Sequence, residues 1–439
     1  MKLKNKTLFF KMSLALAPAA LLMAAPAAHS ADSIADAVAG GKVSANIQAR
    51  YEGVDTPNTS ATSNARAMTA RLRLGYETGE YQNFGGMFQV STIAARGTYN
   101  DNQANSRQSS TQDKVNDASG TSVTQSYVSY SGVADTKIKL GRQVIRYDND
   151  RWVGNVDWRQ NWQSYDAASV TNKSLADTTI QAAYVTNVNR PSGDNGAGTA
   201  GTVSTTSGNT HMKSTLLNVH NTSLGLGEVT GYNYRLDYTA PENAIAQAYG
   251  STNTTGLKIQ GSAPVAGYKA SYVAEYASQK NFRTNTTAYT AVYTNVEAGL
   301  DVNVAKFTVG QEILGSNNGR AVSTPLSTLF AFNGWADMFL VTPTTGLKDM
   351  YVKARSNAFG VTYGADWHSF KSDTTSQSYG RELDLIAEKQ IDKTYAVGAR
   401  AARFKTDTNG TALTAGSVTH GGVTLTDTNK MWLYGSMAF

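Results

Sequence analysis

Residues 68–77 read MTARLRLGYE. Met68, Ala70, Leu72, Leu74 and Tyr76 alternate with Thr69, Arg71, Arg73, Gly75 and Glu77. One apolar and one polar face at period two is the spacing of a β-strand. Outward from this stretch the alternation recurs. Val43, Ala45, Ile47, Ala49 and Tyr51 are set against Ser44, Asn46, Gln48 and Arg50. Leu257, Ile259, Gly261 and Ala263 alternate with Lys258, Gln260 and Ser262. The runs Tyr268–Tyr276 and Phe359–His368 repeat the pattern. Each run predicts a strand of about ten residues, against about 5–6 in soluble sheets and about 9–11 for a tilted strand that crosses a bilayer. Many of the 23 tyrosines fall near strand ends, where aromatic girdles sit.

The connections alternate in length. Short turns are predicted at Gly79-Glu80, Val133–Asp135, Leu175–Asp177, Leu224–Leu226, Pro264–Gly267, Gly299–Asn303, Arg355–Asn357 and Gln390–Lys393. Long polar stretches lie between them, and Gly193–Gly208 reads as a flexible loop. Eight hairpins with an unpaired first and last strand predict about 18 strands, the even number of a bacterial outer-membrane barrel with short periplasmic turns and longer extracellular loops. The last strand ends at Phe439, with Met431, Leu433 and Met437 on its face. That pattern resembles the terminal signature of proteins handled by the barrel-assembly machinery, an expected partner.

The chain has 439 residues and no cysteine, which excludes a disulfide framework. Lys2, Lys4, Lys6 and Lys11 precede the apolar run Leu14–Ala28, so Met1–Ser30 reads as a signal peptide, leaving 31–439 as one barrel domain. Its 4 lysines, taken from 39 Lys+Arg, leave 35 against 33 Asp+Glu, about +2 in place of the formal +6. No lysine run points to nucleic acid. Outer-membrane lipid and lipopolysaccharide are the expected surroundings. After Ser30 no segment approaches the ~18 consecutive apolar residues of a membrane helix.

There is no GxSxG, Walker loop, HExxH or EF-hand motif, so no enzyme, cofactor or metal is expected. Asp366 and His368 are the one local pair a barrel enzyme could use. Strand parity instead assigns charges to the lumen: Arg50, Arg71, Arg73, Lys137, Lys139, Arg235, Lys258, Lys269 and Arg400, against Glu77, Asp237, Glu275, Glu312, Asp366, Glu382, Asp384 and Glu388. The first, second and seventeenth strands carry mainly cations, and the fifteenth and sixteenth mainly carboxylates. That separation predicts a field across a water-filled pore.

The densest chemistry is Gly141–Ala167, GRQVIRYDNDRWVGNVDWRQNWQSYDA. Arg142, Arg146, Arg151 and Arg159 interleave with Asp148, Asp150, Asp157 and Asp166 and three tryptophans. It reads either as a surface loop of ion pairs or as a polar constriction for an anionic or sugar-like solute, since guanidinium binds carboxylate bidentately. Strict alternation from Ile138 and Leu140 turns Arg142 toward lipid. Either it lies above the apolar band or Gly141 hosts a bulge that turns it inward.

Residues 140–167, and 323–354 with Phe332-Asn333-Gly334-Trp335-Ala336-Asp337 at their centre, resemble the alginate export family of outer-membrane barrels. The resemblance implies an eighteen-stranded barrel passing an anionic uronate polysaccharide, or smaller relatives, through an arginine-lined lumen. Arg142, Arg151 and Arg159 fall in the matching motif, with Asp148, Asp157 and Asp166 to orient them. Exporting members carry a long periplasmic turn, whereas every such turn here is short. Two alternatives stand beside this reading: a general diffusion porin for small hydrophilic solutes, and a barrel enzyme.

Overall fold

The computed structural model describes residues 31–439 apart from 57–62, 102–110, 192–207, 240–249, 376, 408–411, 415–416 and 421–422. The expected signal peptide and most of the Gly193–Gly208 loop therefore lie outside the described residues.

Eighteen strands form one antiparallel sheet. In chain order they are β1 (Lys42–Asp55), β2 (Ala65–Glu77), β3 (Phe84–Thr98), β4 (Gly120–Val133), β5 (Thr136–Gln143) and β6 (Ser164–Asn172). Then come β7 (Thr178–Asn189), β8 (Asn209–Asn221), β9 (Glu228–Leu236), β10 (Thr252–Val265), β11 (Tyr268–Asn281) and β12 (Thr290–Asp301). The circuit ends with β13 (Ala305–Leu314), β14 (Leu347–Ala358), β15 (Val361–Lys371), β16 (Ser378–Gln390), β17 (Tyr395–Thr406) and β18 (Thr428–Ala438). β18 pairs with β17 and also with β1, where Ile47 faces Met437 and Tyr51 faces Leu433. Closure leaves no open edge, the condition for a sheet in hydrocarbon.

The founding stretch lies in β2 as predicted. Arg71 and Arg73 are 5% and 3% exposed, while Met68 and Leu74 are 63% and 43% exposed. Apolar side chains face outward and polar ones inward, the inverse of a soluble sheet. Val128, Leu140, Tyr276, Val296 and Leu433 continue the outward apolar band.

Two predicted turns shift. β12 runs on to Asp301, and β14 runs on to Ala358. Phe359, read as a strand residue, forms the turn with Gly360, both at positive φ (54° and 71°). At the short-turn end sits a helix the alternation could not reveal, α1 (Ile34–Ala39). The Ser33 side chain caps it, and Ala37 O accepts from Gly79 N at 2.8 Å.

Candidate functional site

The segment 144–163, between β5 and β6, turns into the lumen. Asp148, Asp150 and Val156 take positive φ, which lets the chain reverse tightly. Tyr147 N donates to Val153 O at 3.0 Å, and Gln163 N to Asn155 O at 2.7 Å. The long segment between β13 and β14 folds in beside it. Val153 and Leu326 form a parallel bridge, and Gly154 N donates to Leu326 O at 2.9 Å. A Cβ on Gly154 would stand 2.4 Å from Thr328 Oγ1, so this approach requires glycine. Trp158 stacks on Phe330 with centroids 4.2 Å apart. The two stretches that carried the family resemblance are thus one packed unit inside the barrel.

This unit spans the lumen between two walls. On the carboxylate side, Arg151 Nε lies 2.7 Å from Glu312 Oε1 of β13, and both side chains are buried. Arg151 Nη2 also donates to Asn333 Oδ1 at 3.1 Å. Asn333 Nδ2 donates to Glu312 (2.6 Å) and Asp349 (3.2 Å), and Trp152 Nε1 to Glu275 (2.9 Å). Trp335 N reaches Asp384 at 3.2 Å and Ala336 N reaches Glu382 at 2.6 Å. Asp337 reaches across to Lys430 of β18, beside the arginine side, at 2.8 Å.

On the arginine side the partners differ. Arg50 donates to Trp158 O and pairs with Asp117. Arg71 donates to Gln160 O at 3.3 Å and to Asn46 Oδ1. Arg73 approaches Gln160 O at 3.5 Å and lies 3.3 Å over the Trp162 ring. Arg159 closes the junction onto Glu52 (3.2 Å), Asp337 (3.1 Å) and Asp117 (3.7 Å). Burial pushes the Asp117 carboxyl up, but Arg50 and Arg159 with the Gln160 N–H outweigh it and hold it below the usual carboxylate range. Arg400 sits 4.5 Å over Trp158 and pairs with Glu388 at 2.7 Å.

The structure therefore brings Arg50, Arg71, Arg73, Arg159 and Arg400 to the arginine side of the lumen and Arg151 to the other end of the inserted segment. Lys258 is buried on β10, in register with Glu275. Arg146 stays within the loop, paired with Asp150 and with Asp157 at 3.1 Å. Asp148 accepts from Asn218 Nδ2 at 2.8 Å. Arg142 and Asp166 stand apart. Arg142 Nε donates to Asp166 Oδ1 at 2.7 Å, and the pair shares the outward face with Leu140 and Ala168, at the long-loop end. Asn187 and Asn189 each donate to Asp166 at 3.1 Å. Of the two positions open to Arg142, the one above the apolar band holds. Gly141 has φ 126°, but the alternation continues through it.

Arg235, assigned to the lumen by parity, is exposed on the outer face, and Asp237 lines the same outer groove. Tyr232, Tyr234 and Leu236 are the buried, inward residues of β9. They pack in one cluster with Tyr147 and Trp152 of the inserted segment. Polarity marks the lumen face only where the lumen holds water. Glu52, Asp117 and Asp337 complete the junction but were missed. Asp337 lay inside a quoted motif, whereas Asp117 had no pattern around it.

The enzyme reading loses its pair. Asp366 binds Arg355 at 2.7 Å, and His368 binds Asp349 at 2.9 Å. Among the described residues, Asp148, His220 and Glu228 could gather round a cation, with ligand atoms within 4.8 Å of one another. His220 turns Nε2 to Asp148 (3.6 Å) and Nδ1 to Glu228 (3.5 Å), so its donors do not converge on one point.

Below the inserted segment, at the short-turn end, the lumen is open. A cavity of about 610 Å³ is lined by Lys137, Lys139, Arg146 and Lys173 with Asp135 as its one carboxylate. It shares Thr171, Lys173 and Gln181 with a second space of about 600 Å³ that reaches His220 and Glu228.

The model of the alginate export family matches residues 42–308. No curated protein matches the chain. Among solved structures, Acinetobacter baumannii OccAB4 superposes with a TM-score of 0.66 at 10% identity, over 91% of this chain and 98% of that one. OccAB2 of the same organism gives 0.65 at 12%, over 92% and 98%. Pseudomonas aeruginosa OpdK, solved with vanillate, gives 0.63 at 10%, over 92% and 99%. At such identities the likeness is one of fold.

Proposed function

The chain belongs to the alginate export family and is an outer-membrane β-barrel channel, and we propose that the solutes it passes are small anions or anionic sugars, uronate oligosaccharides among them. The observation that carries this is the Arg71–Arg73 pair. Both guanidiniums are nearly buried on the lumen face, and among the described residues neither has a carboxylate ion-pair partner. Their partners are neutral oxygens and an indole face, so no carboxylate paired with them offsets the field they put on a passing anion. The basic cavity around Lys137 and Lys139 supplies a second attraction on the same route. A single carboxylate on an aromatic ring, as in the vanillate held by OpdK, has the same recognition chemistry. The packed segments favour small solutes over a polymer, because they span the lumen from wall to wall.

The reading of a general diffusion porin draws on the carboxylates of β16, beside the Arg400 strand β17. Glu382 and Asp384 are buried there and accept backbone N–H groups. A balanced transverse field would leave little net selectivity. Planar-bilayer recordings under a salt gradient separate the two. Anion preference, with block by oligo-uronates and not by neutral oligosaccharides of equal length, is expected. A reversal potential near zero with no block would assign the general porin.

A further inference from the structure

The lumen does not account for a large groove that lies on the outer wall of the barrel. About 1120 Å³ in volume, it is lined by Lys213, Arg235, Arg283 and Arg320, with Asp237 as its one carboxylate. Lys213 and Arg235 project from β8 and β9 on the outward parity, because their chain neighbours Met212, Ser214, Tyr234 and Leu236 are the buried ones. Arg283 follows β11, and Arg320 belongs to a two-stranded ribbon beyond β13.

Register fixes the height of this groove. Thr215 faces Arg235, Arg235 faces Asn253, and Asn253 faces Lys280, so these residues form one row round the wall. One step down, Asn233 lies between Leu217 and Thr255. Below that, Leu257 faces Tyr276, both exposed to the outside, where the apolar band begins. The groove therefore stands at the long-loop rim, which is the extracellular end of such a barrel. Tyr184 and Phe282 line it as well, as aromatic residues do at a membrane interface.

Cations are costly on a lipid-facing wall unless something answers them. Among the described residues Asp237 lies 3.7 Å from Arg283, and Lys213, Arg235 and Arg320 form no ion pair. We infer that the groove holds the phosphorylated sugar headgroup of an outer-leaflet glycolipid, with its acyl chains against Leu217, Leu257 and Tyr276. Charge and position select this occupant together. Guanidinium and ammonium groups converge as a phosphate requires, and the only phosphates held at that height are those of the leaflet.

The test uses the mature barrel in mild detergent, exchanged with a diphosphorylated lipid A-type glycolipid, with its dephosphorylated form, or with phosphatidylcholine. Retained lipid is read by native mass spectrometry. The phosphorylated glycolipid is expected to be retained selectively. The K213Q/R235Q/R283Q/R320Q variant should lose on the order of several hundredfold of that retention, each basic group near the surface being worth about 1 kcal/mol. Heat-modifiable mobility and channel conductance should be unchanged, since the groove is outside the lumen. Should the fourfold variant not fold, R235Q/R320Q is expected to lose about thirtyfold on the same arithmetic. Equal retention by variant and parent, or equal retention of the dephosphorylated glycolipid, overturns the inference. Full displacement by inorganic phosphate also overturns it, by making the groove a free-anion site.

Discussion

The inserted segment ends on two walls that treat charge in opposite ways. At Glu312 the incoming Arg151 meets a carboxylate, and Asn333 and Tyr293 satisfy the oxygens that remain. At β2 the wall supplies the cations, and the segment answers Arg71 and Arg73 with the Gln160 carbonyl and the Trp162 ring. The first end neutralises charge and anchors the segment. The second leaves Arg71 and Arg73 without a carboxylate ion-pair partner among the described residues. One loop thus makes different kinds of contact at its two ends.

Breaking the anchored end should give the largest effect. Removing one partner of a buried pair costs roughly 3–5 kcal/mol. Arg151→Gln is therefore expected to loosen the segment, with single-channel conductance rising severalfold and frequent switching. The R151Q/E312Q double variant should recover much of the parental trace, since no buried charge is then left alone. Parental conductance in R151Q would mean that aromatic packing on Phe330 holds the segment unaided.

The polarised end is probed by R71Q/R73Q. The anion-to-cation permeability ratio should fall by about threefold or more, and further at low salt, where screening weakens. An unchanged reversal potential at low salt would sink the role of this pair and shift attention to Lys137 and Lys139. On β16, E382Q/D384N should move selectivity the other way, toward anions. The change should be smaller, about twofold, because the N–H groups of Trp335 and Ala336 already offset these carboxylates.

Acid should have the smallest effect across the ordinary range. The folded state holds the Asp117 carboxyl below its usual value, so its tie to Arg50 and Arg159 is fully present above the unfolded pKa of about 3.9 and is lost as pH falls through the folded one. Gating frequency is expected to stay flat from pH 8 to 5 and to rise only under stronger acid. A rise already at pH 6 that D117N abolishes would contradict this account.

The β2 stretch shows why so much was legible beforehand. A strand between lipid and water must alternate, so Met68–Glu77 declared its fold, its length and the inward face of Arg71 and Arg73. The short turns declared strand number in the same local way. β9 shows where that logic stops. Its tyrosines face inward, because what they meet is not water but Trp152 and Tyr147 from a distant part of the chain.

The sequence by itself determined the barrel and its strand number, since each follows from period-two patterning read a few residues at a time. Only the tertiary structure decided that residues 144–163 and the segment after β13 meet inside the barrel. It alone placed Arg151 on Glu312, Arg142 outside on Asp166, and Arg235 toward lipid. Those choices depend on side chains brought together across the lumen from remote positions, and no local period encodes which side of a wall will be filled by protein.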